Sequence, residues 1–250
     1  FNKIDLFDYS LFIPLGIMFI VGVYDDLYHA DFKLKFLLQI IVAKIIIDQG
    51  YVISNYHGLF GLYEVPWFLA QLSTVFVFLV IINAINFIDG IDGLAITEVI
   101  KIVVLIEFFS GIQTPLTPFF VLLVLSLLPL YYFNFKKKRK VFIGDGGSLL
   151  LGTMVSIYIF YILGNEYEFK VGFQLNKALF AVLIILYPLI DLLRVFILRL
   201  KEGKSPFEAD QNHIHHFLLK KKLSHFSINV SILFIELFTL TTILFLLKYF

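Results

Sequence analysis

Cysteine is absent from this chain of 250 residues, which excludes disulfide frameworks and thiol chemistry. A strong charge imbalance is absent as well, since the formal net charge of +1 indicates no particular partner. The first ten residues have no basic segment and carry two aspartates, so we expect no cleavable signal peptide. The sequence has no initiator Met and begins almost inside an apolar stretch, which predicts a fragment of a longer protein.

Apolar residues, by contrast, are abundant. They make up 60% of the chain, and the mean hydropathy is +0.91, whereas soluble domains are about 45–50% apolar. A membrane-spanning helix needs about 20 apolar residues, and eight stretches approach that length. The sequence therefore predicts an all-α, polytopic transmembrane helix bundle that forms one domain over residues 1–250. The predicted spans lie near residues 10–24, 34–50, 67–85, 94–109, 116–135, 148–164, 178–198 and 227–247.

Lysine and arginine are distributed unevenly between the two ends of these spans. Thirteen of the 20 basic residues fall on the side that the first span reaches at its end, four on the other side and three within spans. Because basic residues favour the cytoplasmic side, we predict that the first side is cytoplasmic. The thirteen are Lys33, Lys35, residues 136–140, Arg199, Lys201, Lys204 and residues 220–222. The acidic and histidine-rich motifs fall on the same side, which predicts an active site at the cytoplasmic face.

Two adjacent carboxylates, Asp25 and Asp26, follow the first apolar stretch. Carboxylates are costly at a bilayer boundary, so their presence there needs a reason. Their mutual repulsion can raise the pKa of one of them and make it a base, or both can attract a divalent cation. A solvated helix end explains this pair equally well when it is taken alone.

Asn83, Asn86, Asp89 and Asp92 recur every three residues at the end of the third apolar stretch. Residues three apart share a face of a helix, so this spacing predicts a polar stripe. Glycines beside the two carboxylates allow a ligand to approach the backbone closely, or allow the chain to turn. A polar linker with helix caps is the alternative, although linkers rarely carry regularly spaced Asn and Asp residues next to an apolar span.

Asp145 lies in a glycine-rich segment, residues 144–148, directly before another apolar stretch. An Asp or a Ser in this position can simply cap the following helix. Free backbone N–H groups at a helix start also favour a phosphate. A carboxylate there is suited to Mg²⁺, which takes few protein oxygens and shares those of substrate phosphates.

His213, His215 and His216 lie in a long loop, residues 201–226. Their spacing does not match the common structural zinc patterns. As cations or donors they suit a diphosphate, and Arg199 adds a group that can bind phosphate oxygens through two hydrogen bonds. A solvated basic loop is the alternative. Carboxylates for a metal, cations for phosphate and a site at the membrane together indicate transfer of a phosphorylated group to or from a lipid.

These motifs resemble those of the polyprenyl-phosphate N-acetylhexosamine-1-phosphate transferases, the superfamily of undecaprenyl-phosphate GlcNAc-1-phosphate transferase and phospho-MurNAc-pentapeptide translocase. Four motifs occur in the order typical of the family, and segments 83–95 and 205–216 are the most specific. The resemblance implies transfer of a HexNAc-1-phosphate, first of all GlcNAc-1-phosphate, from a UDP-sugar to undecaprenyl phosphate with release of UMP. It also implies a step in cell wall, lipopolysaccharide, O-antigen or teichoic acid biosynthesis at the bacterial cytoplasmic membrane. It allows a homodimer and implies no nucleic acid partner.

The resemblance further implies roles for residues that would handle the metal and the lipid phosphate. Asp145 matches the principal Mg²⁺ ligand and Asn86 an amide that joins it, with Mn²⁺ as an alternative ion. Asp25 and Asp26 match the pair that handles the lipid phosphate, with Asp26 favoured as base or positioning group. Lys35 matches a lysine that contacts phosphate. The lipid phosphate would attack the phosphorus that bears the sugar, either directly or through a covalent aspartyl intermediate.

Other positions match groups near the nucleotide-sugar. Asp89 matches an acidic position near the nucleotide, and we expect it to be catalytic. Asp92 matches a position close to uracil. Arg199 and His213 match loop groups that hold the donor diphosphate. The remaining candidates for substrate binding are Asn83, His215 and His216.

The sequence departs from the family pattern in two places. Two further N-terminal spans, and a basic segment before the first motif, are usual in the family and do not occur in this sequence. Gln211 stands where family members usually carry Arg or Lys, which removes a basic group near the donor. A translocase-type transferase is the nearest alternative function. An ion-coupled transporter is an alternative of another class, and it would place carboxylates near the middle of the bilayer.

Overall fold

The computed structural model describes residues 9–164, 166–173, 175–205 and 213–249, apart from the side chains of Phe60, Lys248 and Tyr249. These ranges contain ten α-helices, two short 3₁₀ turns and no β-strand, so the prediction of an all-α bundle is confirmed. The helices are α1 Phe12–Tyr28, α2 Phe32–Asp48, α3 Trp67–Ile88, α4 Leu94–Phe109, α5 Thr117–Asn134, α6 Gly144–Leu163, α7 Lys177–Ile184, α8 Leu186–Lys201, α9 Ile214–Lys220 and α10 His225–Tyr249.

The chain is a multi-pass membrane protein by the length and composition of its helices. Five of the described helical segments are long and apolar enough to cross a membrane, or six if the bent pair α7 and α8 forms one span. Helices α2 and α4 contain only 17 and 16 residues, at or just below the roughly 17 residues that a span needs. The predicted count of eight spans therefore remains a prediction.

Helix α6 lies at the centre of the bundle. Most of its residues are buried, and it packs mainly against α1 and α3. Gly152 lets α3 come close, because a Cβ atom there would lie 2.9 Å from the Ile82 Cα atom. Helices α5 and α10 lie at the periphery and expose many large apolar side chains, as expected for helices that face lipid.

The predicted span 178–198 is not one straight helix. It is divided at Ile185 into α7 and α8, which differ in direction by 72°. Pro188 explains the break, because a proline has no N–H to donate to the carbonyl group four residues earlier and its ring clashes with that group. The carbonyl in question belongs to Ile184, the last residue of α7.

Several helix ends converge at one end of the bundle and position the site. Helices α1 and α3 finish there, and α2 and α6 begin there. Side-chain contacts join these four ends, since Lys35 contacts Asp25 and Asp145, and Asn86 contacts Asp145. Helix α6 begins at Gly144, four residues earlier than predicted, so its glycine-rich first turn is part of the site. The short helix α9 was not predicted, and it carries two of the three loop histidines.

Candidate active site

Asp25 lies in the last turn of α1, and its carboxylate faces the start of α2. One of its oxygens accepts a hydrogen bond from the Ala30 N–H at 2.8 Å. The other lies 2.5 Å from the ammonium nitrogen of Lys35, in the first turn of α2. A left-handed His29 ends α1 and allows this tight connection. The connection thereby places a lysine beside the first carboxylate of the acidic pair.

Asp26 makes different contacts from its neighbour. Its two oxygens accept hydrogen bonds from the backbone N–H groups of Asp145, at 2.8 Å, and Gly146, at 3.0 Å. These are first-turn N–H groups of α6, which have no partner within their own helix. A Cβ atom at Gly144 would lie 2.7 Å from an Asp26 carboxylate oxygen, so the glycine makes this contact possible. Asp26 therefore caps α6 from another helix, in the position where the sequence suggested a phosphate.

Lys35 and Asn86 connect the acidic pair to Asp145. The Lys35 ammonium group lies 2.8 Å from one oxygen of Asp145, so it is shared between Asp145 and Asp25. The other Asp145 oxygen accepts a hydrogen bond from the Asn86 side-chain amide at 2.8 Å. Asn86 also donates to the hydroxyl of Ser148, a buried residue of α6 whose part in the site sequence analysis missed. One network of side-chain contacts therefore joins α1, α2, α3 and α6, with the Lys35 ammonium group between Asp25 and Asp145.

Gly22 is a second residue that sequence analysis missed. A Cβ atom at this position would lie 2.2 Å from the Asp145 carbonyl oxygen and 2.5 Å from the Gly146 Cα atom. Only glycine lets α1 approach the first turn of α6 this closely. A glycine inside an apolar helix gives no sign in the sequence of which backbone it contacts, so this role was not visible.

The predicted polar stripe 83–92 is interrupted, because α3 ends at Ile88. Asn83, still on the helix, donates to the Gln39 side chain of α2 at 3.1 Å. Asp89 follows the last turn and is half-buried. Burial, followed by the negative charges of nearby aspartates, raises the pKa of Asp89 to about 8. The four residues were expected to share one helix face. Only Asn83 and Asn86 lie on the helix, because α3 ends before Asp89 and Asp92.

Asp92 lies in the turn between α3 and α4, and its contacts differ from those of Asp25 and Asp145. Its carboxylate lies 2.6 Å from the Lys140 ammonium nitrogen and 2.9 Å from Nδ1 of His225. The turn depends on Gly93, which has a φ of +76°, and its N–H donates to the Asn134 side chain at 2.6 Å. Asp92 therefore links the turn to the segment before α6 and to the start of α10.

His213 is held by Asp191, a buried residue of α8 that sequence analysis did not consider. One Asp191 oxygen lies 2.7 Å from Nδ1 of His213, and the other accepts the Ile214 N–H at 2.7 Å. A carboxylate on Nδ1 fixes the imidazole ring and leaves Nε2 to face a ligand. The two residues are 22 positions apart, so the pair could not be recognised from spacing.

His215 and His216 differ from His213 in their environment. His215 is fully buried, and burial lowers its pKa to about 3, so it is neutral. A Cβ atom at Gly90 would lie 2.5 Å from its Nε2 atom, which means that His215 packs against the glycine of the α3–α4 turn. Of the two roles suggested for the loop histidines, cation or donor, a neutral His215 fits the role of donor, which remains a prediction. His216 is half-buried, with its ring centre 4.4 Å from that of His215.

Phe87 connects the cationic residues to the acidic ones. Its ring centre lies 5.6 Å from the guanidinium carbon of Arg199 and also 5.6 Å from the His213 ring. Phe87 directly follows Asn86 at the end of α3, so the cationic and the acidic groups contact adjacent residues of one helix. Arg199 is buried, which suits a cation that is held in place rather than solvated. Residues 206–212, including Gln211 and most of the segment before the histidines, lie outside the described residues.

The side chains around Lys35 fit Mg²⁺. Oxygen is the ligand type that this ion prefers, and the carboxylates of Asp25 and Asp145 supply it, with the Asn86 amide next to Asp145. Lys35 already demonstrates that Asp25 and Asp145 can share a cation. In the described part of the chain, no group of three or more acidic or histidine side chains is arranged around a common metal position.

Comparisons with known proteins are consistent with this geometry. Residues 9–163 match the family described as Glycosyl transferase family 4. A Haemophilus influenzae protein named undecaprenyl-phosphate alpha-N-acetylglucosaminyl 1-phosphate transferase is 32% identical over 233 residues, which are 88% of this chain and 61% of the relative. Proteins of the same name from Salmonella typhimurium and Pasteurella multocida are 31% identical over 221 residues and 36% identical over 107 residues. These matches cover 83% and 41% of this chain, and 57% and 28% of the relatives. The chain thus spans less than two thirds of the length of these relatives.

Proposed function

The chain belongs to glycosyl transferase family 4, and we propose that it transfers a HexNAc-1-phosphate from a UDP-sugar to undecaprenyl phosphate. GlcNAc is the sugar that the names of the relatives favour, and UMP is the second product. The observation that carries the proposal is the cation shared by Asp25 and Asp145, next to the group formed by Arg199, Phe87 and His213. Such a site offers carboxylates for a metal and cations for two phosphorylated substrates.

Mg²⁺ is the proposed cofactor, held by Asp145 together with Asn86, and Mn²⁺ is the alternative. The contacts of both oxygens of Asp145 with a cation or an amide proton support this placement. When bound, the metal would neutralise charge on the donor diphosphate. Asp26 acts indirectly in this proposal, since its hydrogen bonds to the start of α6 fix the position of Asp145.

Lys35 and Asp25 are assigned to the acceptor. The Lys35 ammonium group would bind the phosphate of undecaprenyl phosphate, and Asp25 would orient Lys35 and accept the proton of a singly protonated phosphate. An oxygen of this phosphate then forms a bond to the sugar-bearing phosphorus of the donor. The bond from that phosphorus to the bridging oxygen breaks, and UMP leaves with the oxygen and the electron pair.

Arg199 and His213 are assigned to the donor diphosphate. Both are buried and face Phe87, and Asp191 fixes the ring of His213. Cationic or N–H groups in such a preorganised position stabilise the charge that develops on the leaving UMP. Asp89 and Asp92 are placed near the nucleotide in this proposal, with Asp92 acting through the turn that it holds. Asn83, His215 and His216 would shape the surrounding walls.

We place the protein in the bacterial cytoplasmic membrane, with these residues at the cytoplasmic face. The excess of basic residues on that side supports this orientation. A role in the synthesis of a cell-envelope glycan belongs to the same proposal, and a homodimer is compatible with it. The proposal includes no nucleic acid partner.

The test is release of UMP from a panel of UDP-sugars by the purified protein, with undecaprenyl phosphate and Mg²⁺. UMP release should require the lipid phosphate, and Asp145→Asn should abolish it. Asp48→Asn is the matched control, because Asp48 is an exposed carboxylate at the other end of α2. UMP release that is independent of lipid phosphate, or unaffected by Asp145→Asn, would contradict the proposal. A transporter would release no UMP.

A further inference from the structure

Three charged side chains lie buried within the helical bundle, away from the site. Lys101 of α4 lies 2.5 Å from a carboxylate oxygen of Glu98, on the same helix, and 2.5 Å from one of Glu236, on α10. All three residues are less than one tenth exposed. Ionised side chains are costly inside a membrane protein and usually mark a function. The reaction proposed above uses none of them, so they need another explanation.

The second oxygen of Glu236 contacts the break between α7 and α8. It accepts a hydrogen bond from the backbone N–H of Tyr187, in the first turn of α8, at 3.0 Å. First-turn N–H groups have no partner within their own helix, and Tyr187 is buried. Inside a membrane, a broken helix is tolerated only where other groups satisfy its freed backbone. Glu236 therefore supplies the acceptor that the break at Ile185 requires.

Helix α8 carries the residues that organise the cationic part of the site. Asp191 follows Tyr187 by about one helical turn, and Arg199 lies near the end of the helix. The Tyr187 hydroxyl also lies 3.4 Å from Nδ1 of the buried His215. A change in the direction of α8 would thus displace Arg199 directly and His213 through Asp191.

We propose that Glu236 is a positioning residue whose carboxylate caps α8, while Lys101, shared with Glu98, compensates the charge that this carboxylate brings into the bundle. The cap fixes the direction of α8 after the 72° bend, and hence the position of the groups that face the donor diphosphate. The hydrogen-bond acceptor, and not the ion pair, determines the direction of α8. The ion pair offsets the cost of burying a carboxylate, a cost that a neutral acceptor of the same shape does not incur.

Two variants separate the acceptor from the ion pair. Glu236→Gln keeps a side-chain oxygen for the Tyr187 N–H but loses the charge. The exchanged pair Lys101→Glu with Glu236→Lys keeps opposite charges in contact but has no acceptor at position 236. Glu236→Met removes both the hydrogen-bond acceptor and the charge. It is the variant to measure if the protein with the exchanged pair does not fold. Glu107→Gln is the control on α4, because Glu107 lies near the other end of the helix and accepts hydrogen bonds there from the hydroxyls of Thr114 and Thr117.

The direction of α8 can be measured without substrate. Cysteines introduced for exposed Leu37 on α2 and exposed Leu200 on α8 would be the only cysteines in the chain, and spin labels on them report one distance. We expect Glu236→Gln and Glu107→Gln to keep the wild-type distance. The exchanged pair, or Glu236→Met, should shift or broaden it. The proposal is overturned if the exchanged pair and Glu236→Met keep the wild-type distance, or if Glu236→Gln shifts it equally.

The KM values for the two substrates provide a second readout, which rests on the proposed function. Loss of the cap should raise the KM for the UDP-sugar by about tenfold with a smaller change in the KM for lipid phosphate, as expected for one lost buried hydrogen bond. Equal changes for both substrates would overturn the proposed link to the donor. If the wild-type protein releases no UMP at all, the proposed function fails, while the spin-label distances still decide whether Glu236 positions α8.

Discussion

Gly22 allows a decisive test of how α1 and α6 form the site. In Gly22→Ala, the new methyl group would lie 2.2 Å from the Asp145 carbonyl oxygen and 2.5 Å from the Gly146 Cα atom. Both are backbone atoms, so no side-chain rotation can relieve the overlap. Non-bonded carbon atoms are normally about 3.5–4.0 Å apart, so the two helices must separate by roughly 1 Å.

Two consequences of this separation have different magnitudes. Overpacking of this kind typically costs about 1–3 kcal/mol of stability. The same movement weakens the hydrogen bonds from the first turn of α6 to Asp26 and displaces Asp145 from Lys35. A misplacement of about 1 Å at a reacting centre can reduce the rate roughly 100-fold. Activity should therefore fall much further than stability.

The assay compares UMP release and the thermal unfolding midpoint of Gly22→Ala with those of Gly16→Ala. Gly16 also lies in α1, but a Cβ atom there would have no other atom within 4 Å. Alanine is favoured over glycine in a helix interior by about 0.5–1 kcal/mol, so the control should be as stable as the wild type or more so. If Gly22→Ala matched Gly16→Ala in both measurements, the close contact between α1 and α6 would be refuted.

Three further predictions concern the pH dependence, the orientation and the histidine. The pKa of Asp89 rises from its ordinary value of 3.8 to about 8 in the folded state, so stability should decline as the pH rises between these values. Asp89→Asn should remove this part of the decline in metal-free protein, and unfolding midpoints that fall equally in both proteins would contradict it. In intact cells, an impermeant thiol reagent should label Glu166→Cys and not Lys138→Cys, and the opposite result would reverse the orientation. Asp191→Ala should lower kcat/KM by about one to two decades through loss of the charged partner of His213, whereas an unchanged value would exclude this positioning role.

The sequence predicted the helices best where glycine or a polar residue bounds an apolar stretch. Helix α4 has the predicted bounds, because Gly93 with its positive φ precedes it and Ser110 ends it. The start of α6 was placed too late, since its first turn is polar and is stabilised by Asp26, more than a hundred residues earlier in the chain. Local patterns cannot reveal a cap that another helix provides.

The residues of the candidate site were predictable where a polar side chain stands out beside an apolar stretch. Acidic and amide side chains next to apolar helices are conspicuous, so the sequence singled out Asp25, Asp145 and Asn86, which the structure brings together. Asp191 was missed because it lies inside a predicted span, where its apolar neighbours conceal it. The bend at Ile185 was missed because Pro188 was not weighed against the apolar character of the stretch around it.

Helices α6 and α10 share an apolar composition but occupy opposite environments. The most apolar part of α6 is 89% buried, and that of α10 is only 17% buried. Lipid accepts many apolar side chains, whereas a packed protein interior accepts few changes of shape. Over evolutionary time, substitutions among leucine, isoleucine and phenylalanine should therefore accumulate along α10 and remain rare along α6. Random mutagenesis of this protein should likewise recover many tolerated apolar substitutions in α10 and few in α6.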